Sequence, residues 1–257
     1  MTRFGEGVKL LPIVESELTQ RQQEILKAMV RDYVEGAEPL GSDALVDKYE
    51  FDFSPATARN EMAELTRLGF LEKDHSSAGR YPTAHGFRYF IKNLMHEEDL
   101  PVVEEVAIKQ RLWNSRHDTG QLLREAAASV AEHLQNLSFV ITDEHKIYAA
   151  GSVHILRHPE FYDIDLTRAV LHLLDQADVL ESVLAHLDPD QELGLFLGEE
   201  SGLASLTACG LVACKIDLPQ GHHGYLNVMG PYRLDYPNVI PTMRYVQQLV
   251  NELSRSW

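Results

Sequence analysis

Between Ser54 and Leu68 lie the side chains of this chain best suited to read another molecule. Wound as a helix at about 100° per residue, Ala58, Met62, Leu65 and Leu68 gather on one side, the side of a core. Ala56, Asn60, Ala63 and Arg67 point the other way, flanked by Thr57 and Arg59. Small residues let a helix enter a groove closely, while Asn and Arg offer paired hydrogen bonds to adenine and guanine edges. A merely solvated face would more often carry several Glu and Lys, which favours base reading. The sequence that follows, His75-Ser-Ser-Ala-Gly-Arg80, has the small and polar residues of a hairpin tip that reaches over a phosphate backbone. Asn60 and Arg59 are the expected base readers, with Arg67 on the same face. Thr57 is a methyl or phosphate contact, and Ser54 stands at the helix start. Arg80, Lys73 and Arg88 are expected to grip phosphates, with His75, Ser76 and Ser77 at the tip.

Other chemistries fare worse. His154 and His158 are four apart and His222-His223 are adjacent, but no Cys or carboxylate beside them falls at a recognised metal spacing. Pro159 also disfavours helical geometry at His158. Cys209 and Cys214 lack CxxC spacing and sit in an apolar run, as small hydrophobes do. Neither Gly198-Glu-Glu-Ser201 nor the glycines near 221–230 match a phosphate-cradling loop or a nucleophile elbow. No catalysis, cofactor or metal is called for.

The elements that must position the reading face follow from periodicity and caps. Leu18–Glu35 carries an apolar stripe at spacings of three and four and ends at Gly36, before Glu38-Pro39. Ser42 is expected to cap a short helix, Asp43–Tyr49, buried through Ala44 and Leu45. Ser54-Pro55 reads as an N-cap followed by proline at the first helical position, and Gly69 closes that helix. Phe70–Lys73 and Arg80–Pro82 form a hairpin, and Thr83 caps a fourth helix, Ala84–Met95. Three helices and a hairpin make a winged helix-turn-helix over residues 18–95, after a tail at 1–17. A helical module that binds protein instead of DNA remains the competing reading.

Beyond Asp99-Leu100-Pro101, a hinge, Val102–Leu137 reads as a long helix or a pair broken near Asp118-Thr119-Gly120. Ser138–Thr142, Leu193–Leu197, Cys209–Ile216 and Gly224–Met229 read as strands, Pro159–Leu187 as helical, and Pro241–Ser254 as a terminal helix. Residues 96–137 form a linker helix region and 138–257 a second domain, so the fold class is α+β.

Over all 257 residues the net charge of −16 argues against nucleic acid, but it is unevenly spread. Residues 1–95 carry 12 basic and 15 acidic side chains, leaving 11 basic and 24 acidic for 96–257. His75–Met95 holds Arg80, Arg88 and Lys92 and no acid, a local basic patch of the kind that phosphate contacts need. The longest uncharged stretch, Leu218–Tyr232, is 15 residues with two prolines and three glycines, which excludes a membrane-spanning helix there. With two cysteines and no signal-peptide pattern, a reduced, cytoplasmic chain is expected.

Two motifs carry a resemblance. SPATARNEM in the third helix and HSSAGRYPT in the hairpin, within Leu18–Met95, resemble the N-terminal domain of the heat-inducible transcription repressor HrcA family. GSVHILRHPEF (151–161), LGEE (197–200) and GPYRLDYPNVIP (230–241) are similar to its C-terminal part. The resemblance implies a homodimer on an inverted-repeat operator in double-stranded DNA ahead of chaperone genes. It also implies a GAF-like second domain and activity maintained by the chaperonin GroEL. It places Ser54, Thr57, Arg59 and Asn60 in the recognition helix, and His75, Ser76, Ser77, Gly79 and Arg80 in the wing.

Two departures stand out. Asp43 occupies a position where the family usually has arginine, which removes a phosphate contact. Only Asp143–Ile147 joins the strand SFVIT to the segment YAAGS, where the family has a long insert. That joint implies a reduced GAF-like domain without much of its sheet and without the inserted dimerisation domain. Dimerisation then falls to the remaining core, the linker helix, or both. A ligand-responsive regulator, with a small-molecule pocket in the second domain, is the alternative function.

Overall fold

The computed structural model describes residues 18–73, 79–187 and 193–255. They form two compact units: one up to Leu94 that includes Glu199–Ala204, and one from Met95 onward.

In the first unit, α1 (Gln20–Gly36), α2 (Ser42–Tyr49) and α3 (Pro55–Arg67) precede a hairpin of β1 (Leu71–Lys73) and β2 (Arg80–Pro82). Next comes α4 (Ala84–Tyr89), which widens into a π turn at Phe90–Leu94. Thr19 starts α1 through a capping box with Gln22. Ser54 caps α3 by accepting from the Thr57 amide at 3.2 Å. Ile25, Leu26, Met29, Leu45, Ala58, Met62, Leu65, Phe70 and Phe87 are buried together as the core. Gly86 lets α4 lie on the hairpin, because a Cβ there would strike the Phe70 carbonyl oxygen.

Two boundaries differ from expectation. The cap of α2 is Gly41, whose carbonyl accepts the first helical bond from Leu45 at 2.9 Å. Ser42 is therefore already helical and buried, while Ala44 is exposed. α4 stops at Tyr89, short of Met95, where the helical ladder widens. Lys73 pairs with Arg80 across the hairpin, and His75, Ser76 and Ser77 lie outside the described residues.

The second unit holds α5 (Val102–Asn114), α6 (Thr119–Leu134), β3 (Leu137–Thr142), β4 (Ile147–Ala150), α7 (Ile164–Leu173) and α8 (Ala177–Leu184). After these come β5 (Leu193–Leu197), β6 (Cys209–Asp217), β7 (His223–Pro231) and α9 (Tyr236–Ser254). The sheet is antiparallel throughout, in the order β4-β3-β7-β6-β5. Every residue of β3 is buried, so both faces of the sheet are covered there. Cys214 shares a face with Leu226 and Val140 by register, and its thiol lies 3.7 Å from the Met243 carbonyl of α9.

The short joint does not cost the second domain its sheet. Thr142 and Lys146 close a tight turn (Thr142 N to Lys146 O, 3.0 Å) with His145 at φ 60°, and β4 pairs with β3 directly after it. α9 begins at Tyr236, five residues ahead of the expected Pro241, which lies inside it. Proline has no amide to offer the carbonyl four residues back. That carbonyl, of Pro237, accepts from the Glu98 amide at 2.9 Å instead. A proline inside the helix is thereby tolerated.

Candidate nucleic-acid interface

α3 is held from behind. Gln22 of α1 donates to Glu61 at 3.0 Å and Arg21 stands 3.6 Å from the same carboxylate. With Ala58, Met62 and Leu65 fully buried, the helix has one rotational setting. Its outward side presents Ala56, Arg59, Asn60, Ala63 and Arg67, all exposed, with Thr57 half-buried beside them. Ser54 serves this helix as its cap and bonds the Thr57 hydroxyl at 3.0 Å.

The cations differ in their freedom. Arg59 is exposed and lies 3.5 Å from the Asp43 carboxylate. Arg67 is forked onto Glu64 one turn back, Nε to Oε2 at 2.8 Å. Arg80 is half-buried, and its Nε donates to Thr66 Oγ1 of α3 at 3.0 Å. Its backbone pairs both ways with Leu40, which joins the hairpin edge to the segment before α2. Burial pushes the Arg80 guanidinium below its ordinary value, and the charge of Arg59 pushes the same way. Two guanidinium groups that disfavour each other thus lie at the edge of α3. An anion between them relieves that repulsion.

Lys73 is exposed at the end of β1. Arg88 is half-buried on α4 and is engaged by Glu200, Nε to Oε1 at 2.8 Å. The expected cluster thus divides. Asn60, Arg59, Arg67 and Thr57 share one face with Arg80 at its edge, whereas Arg88 is committed to a carboxylate. Thr66 and Leu40, which fix Arg80, were missed in the sequence. Only a threonine one turn past Met62 hinted at the first, and nothing local hinted at the second.

The second unit offers little chemistry among its described residues. No three His, Cys, Asp or Glu side chains are arranged to hold a metal ion. Burial pushes the Cys209 thiol up to about 12 and Cys214 further still, so both stay protonated and inert. Burial lowers His158 and favours its neutral form. The trough along Ile164, Arg168, Leu171 and His172 is open to solvent. No described helix is long and apolar enough to cross a membrane.

A family model, the HrcA protein C terminal domain, matches residues 87–240. The heat-inducible transcription repressor HrcA of Desulforamulus reducens is 25% identical over 324 aligned positions, covering 87% of this chain and 93% of the relative. That of Symbiobacterium thermophilum is 24% identical over 338 positions, covering 93% and 99%. Both alignments are longer than this 257-residue chain, so these relatives carry residues with no counterpart here. A crystal structure of a hypothetical protein at 2.2 Å shares the fold, with a TM-score of 0.74 at 16% identity over 93% of this chain and 99% of that one. The family model spans more than half of the chain, and its own domain is the one whose strands and helices are described above: the chain belongs to the HrcA family.

Proposed function

We propose that the chain is a heat-inducible transcription repressor that binds an inverted-repeat operator ahead of chaperone genes as a dimer. The supporting observation is the outward face of α3, exposed and built from Ala56, Asn60, Ala63 and Arg67, with the one acid at its margin, Glu64, paired to Arg67. One α3 enters the major groove at each half-site, and the two half-sites lie about one helical turn, 10–10.5 base pairs, apart or a multiple of it. Asn60 and Arg59 read bases, Thr57 contacts a methyl group or phosphate, and Arg80, held by Thr66, meets the backbone. Lys73 and the tip residues His75, Ser76 and Ser77 extend that backbone contact. Activity maintained by the chaperonin GroEL belongs to the same proposal and rests on the family resemblance alone.

Gel shift with the inverted repeat from a chaperone-gene promoter tests the reading, run against random duplex at several salt concentrations. Asn60→Ala should cost about 1–3 kcal/mol on the operator and little on random DNA. Arg80→Ala should weaken both and flatten the salt slope by about one unit. Equal losses on both DNAs for Asn60→Ala would remove it from base reading. No shift by the wild-type chain at low salt would favour a protein-binding module instead.

A further inference from the structure

α5 has an outward face with an unusual composition for this chain. Val102, Val106, Lys109 and Trp113 follow one another at spacings of four, three and four, on one stripe of the helix. Val102 is 72% exposed, Val103 78%, Val106 58% and Trp113 52%. The opposite side is committed: Ile108 and Leu112 are buried, and the Glu105 carbonyl accepts from Tyr245 of α9 at 2.9 Å. Two other charges of this helix are engaged along its flanks, and Glu105 is half-buried. Arg111 meets Glu125 at 3.2 Å and Glu132 at 2.8 Å, and Glu104 lies 3.7 Å from His133. The exposed stripe therefore carries one charge, Lys109, in the part of the chain with 24 acidic and 11 basic side chains. Contiguous exposed apolar surface of this kind marks an interaction site.

The stripe is complementary to itself. Small branched side chains stand at its start and one large flat ring at its end, with the Arg116 guanidinium over that ring at 4.4 Å from the centroid. Two such helices laid antiparallel bring each ring onto the other's valines. The ends match in charge as well. Glu98 and Asp99, both exposed, precede the helix, while Arg116 follows it ahead of Asp118, so antiparallel pairing sets the acidic pair of each copy near Arg116 of the other. Parallel pairing would set like against like. A two-fold axis near Val106 and Gln110 generates this arrangement, in which the same patch serves both subunits.

We propose that the outward face of α5 is a self-association surface on which a second copy of this chain docks antiparallel, with Trp113 of each copy against Val102 and Val103 of the other. It rests on the operator reading only for the need of two copies.

Sedimentation velocity of the full chain without DNA tests it. Wild type should sediment as a dimer at micromolar concentration and Val106→Glu as a monomer, with unchanged circular dichroism because residue 106 is exposed, and with a melting temperature that no longer depends on protein concentration. An equal mixture of Val106→Glu and Val106→Lys should recover the dimer. Trp113→Ala, a gentler change, should raise the dimer dissociation constant by about tenfold or more. A dimer that survives Val106→Glu, a wild type that stays monomeric up to 100 μM (about the upper working range), or a mixture that stays monomeric overturns the proposal. Since no DNA is present, failure here leaves base reading by α3 untouched. A wild-type dimer that ignores the operator overturns that reading and leaves this one standing.

Discussion

Asp43 and Arg59 are both more than half exposed and 3.5 Å apart, so their pairing contributes little stability. The effect of Asp43 is on the ligand. It places a negative charge next to a cation that the proposed mode needs for DNA. Asp43→Arg should therefore free Arg59 and add a cation. The expected outcome is roughly tenfold tighter binding to operator and random duplex alike at low salt, with a salt slope steeper by about one unit. Fluorescence anisotropy at several salt concentrations measures both. An unchanged slope would mean that residue 43 does not approach the backbone. Arg80 behaves differently, because its guanidinium is already fixed by Thr66 and its chain by Leu40. Little ordering remains to be done when a phosphate arrives, and that preorganisation favours affinity.

At the scale of elements, α3 depends on how closely its supports approach one another. Gly86 sits where α4 crosses the hairpin, and any Cβ would meet the Phe70 carbonyl. Gly86→Ala should lower stability by about 1–3 kcal/mol through overpacking, even though alanine is the better helix former. Urea denaturation checks the sign: a gain in stability would show that α4 shifts freely. Much of this layout was legible beforehand. Ser54-Pro55 and Thr83 announce helix starts by residue type, and the periodicity of α3 separated its two faces correctly at Ala58, Met62 and Leu65, whereas the Thr19 cap of α1 was not read. What escaped depends on distant partners. Pro241 reads as a helix start, and it became an interior residue because Glu98 satisfies the carbonyl that proline abandons. β4 carries no alternation of its own; only pairing with β3 makes Ile147–Ala150 a strand. Of the candidate site, residue identity and face were readable, but the commitment of Arg88 to Glu200 was not, since 112 positions separate them.

For the whole molecule, the charge imbalance acquires a division of labour. The −16 total lies mostly beyond residue 95, away in sequence from the reading helix and hairpin, so general repulsion of DNA falls on the part that is not proposed to touch it. The turn between β3 and β4 has a further consequence. Its two strand ends are within one hydrogen bond of each other, and Thr142 and Lys146 close it whatever lies at the tip. A folded domain with neighbouring termini, inserted between Glu144 and His145, should leave the sheet intact, and thermal melting of the second unit should stay within a few degrees of the parent. Loss of the cooperative transition would count against it. If that insertion is accepted, the turn is a socket whose contents can be exchanged while the rest of the sheet keeps its register.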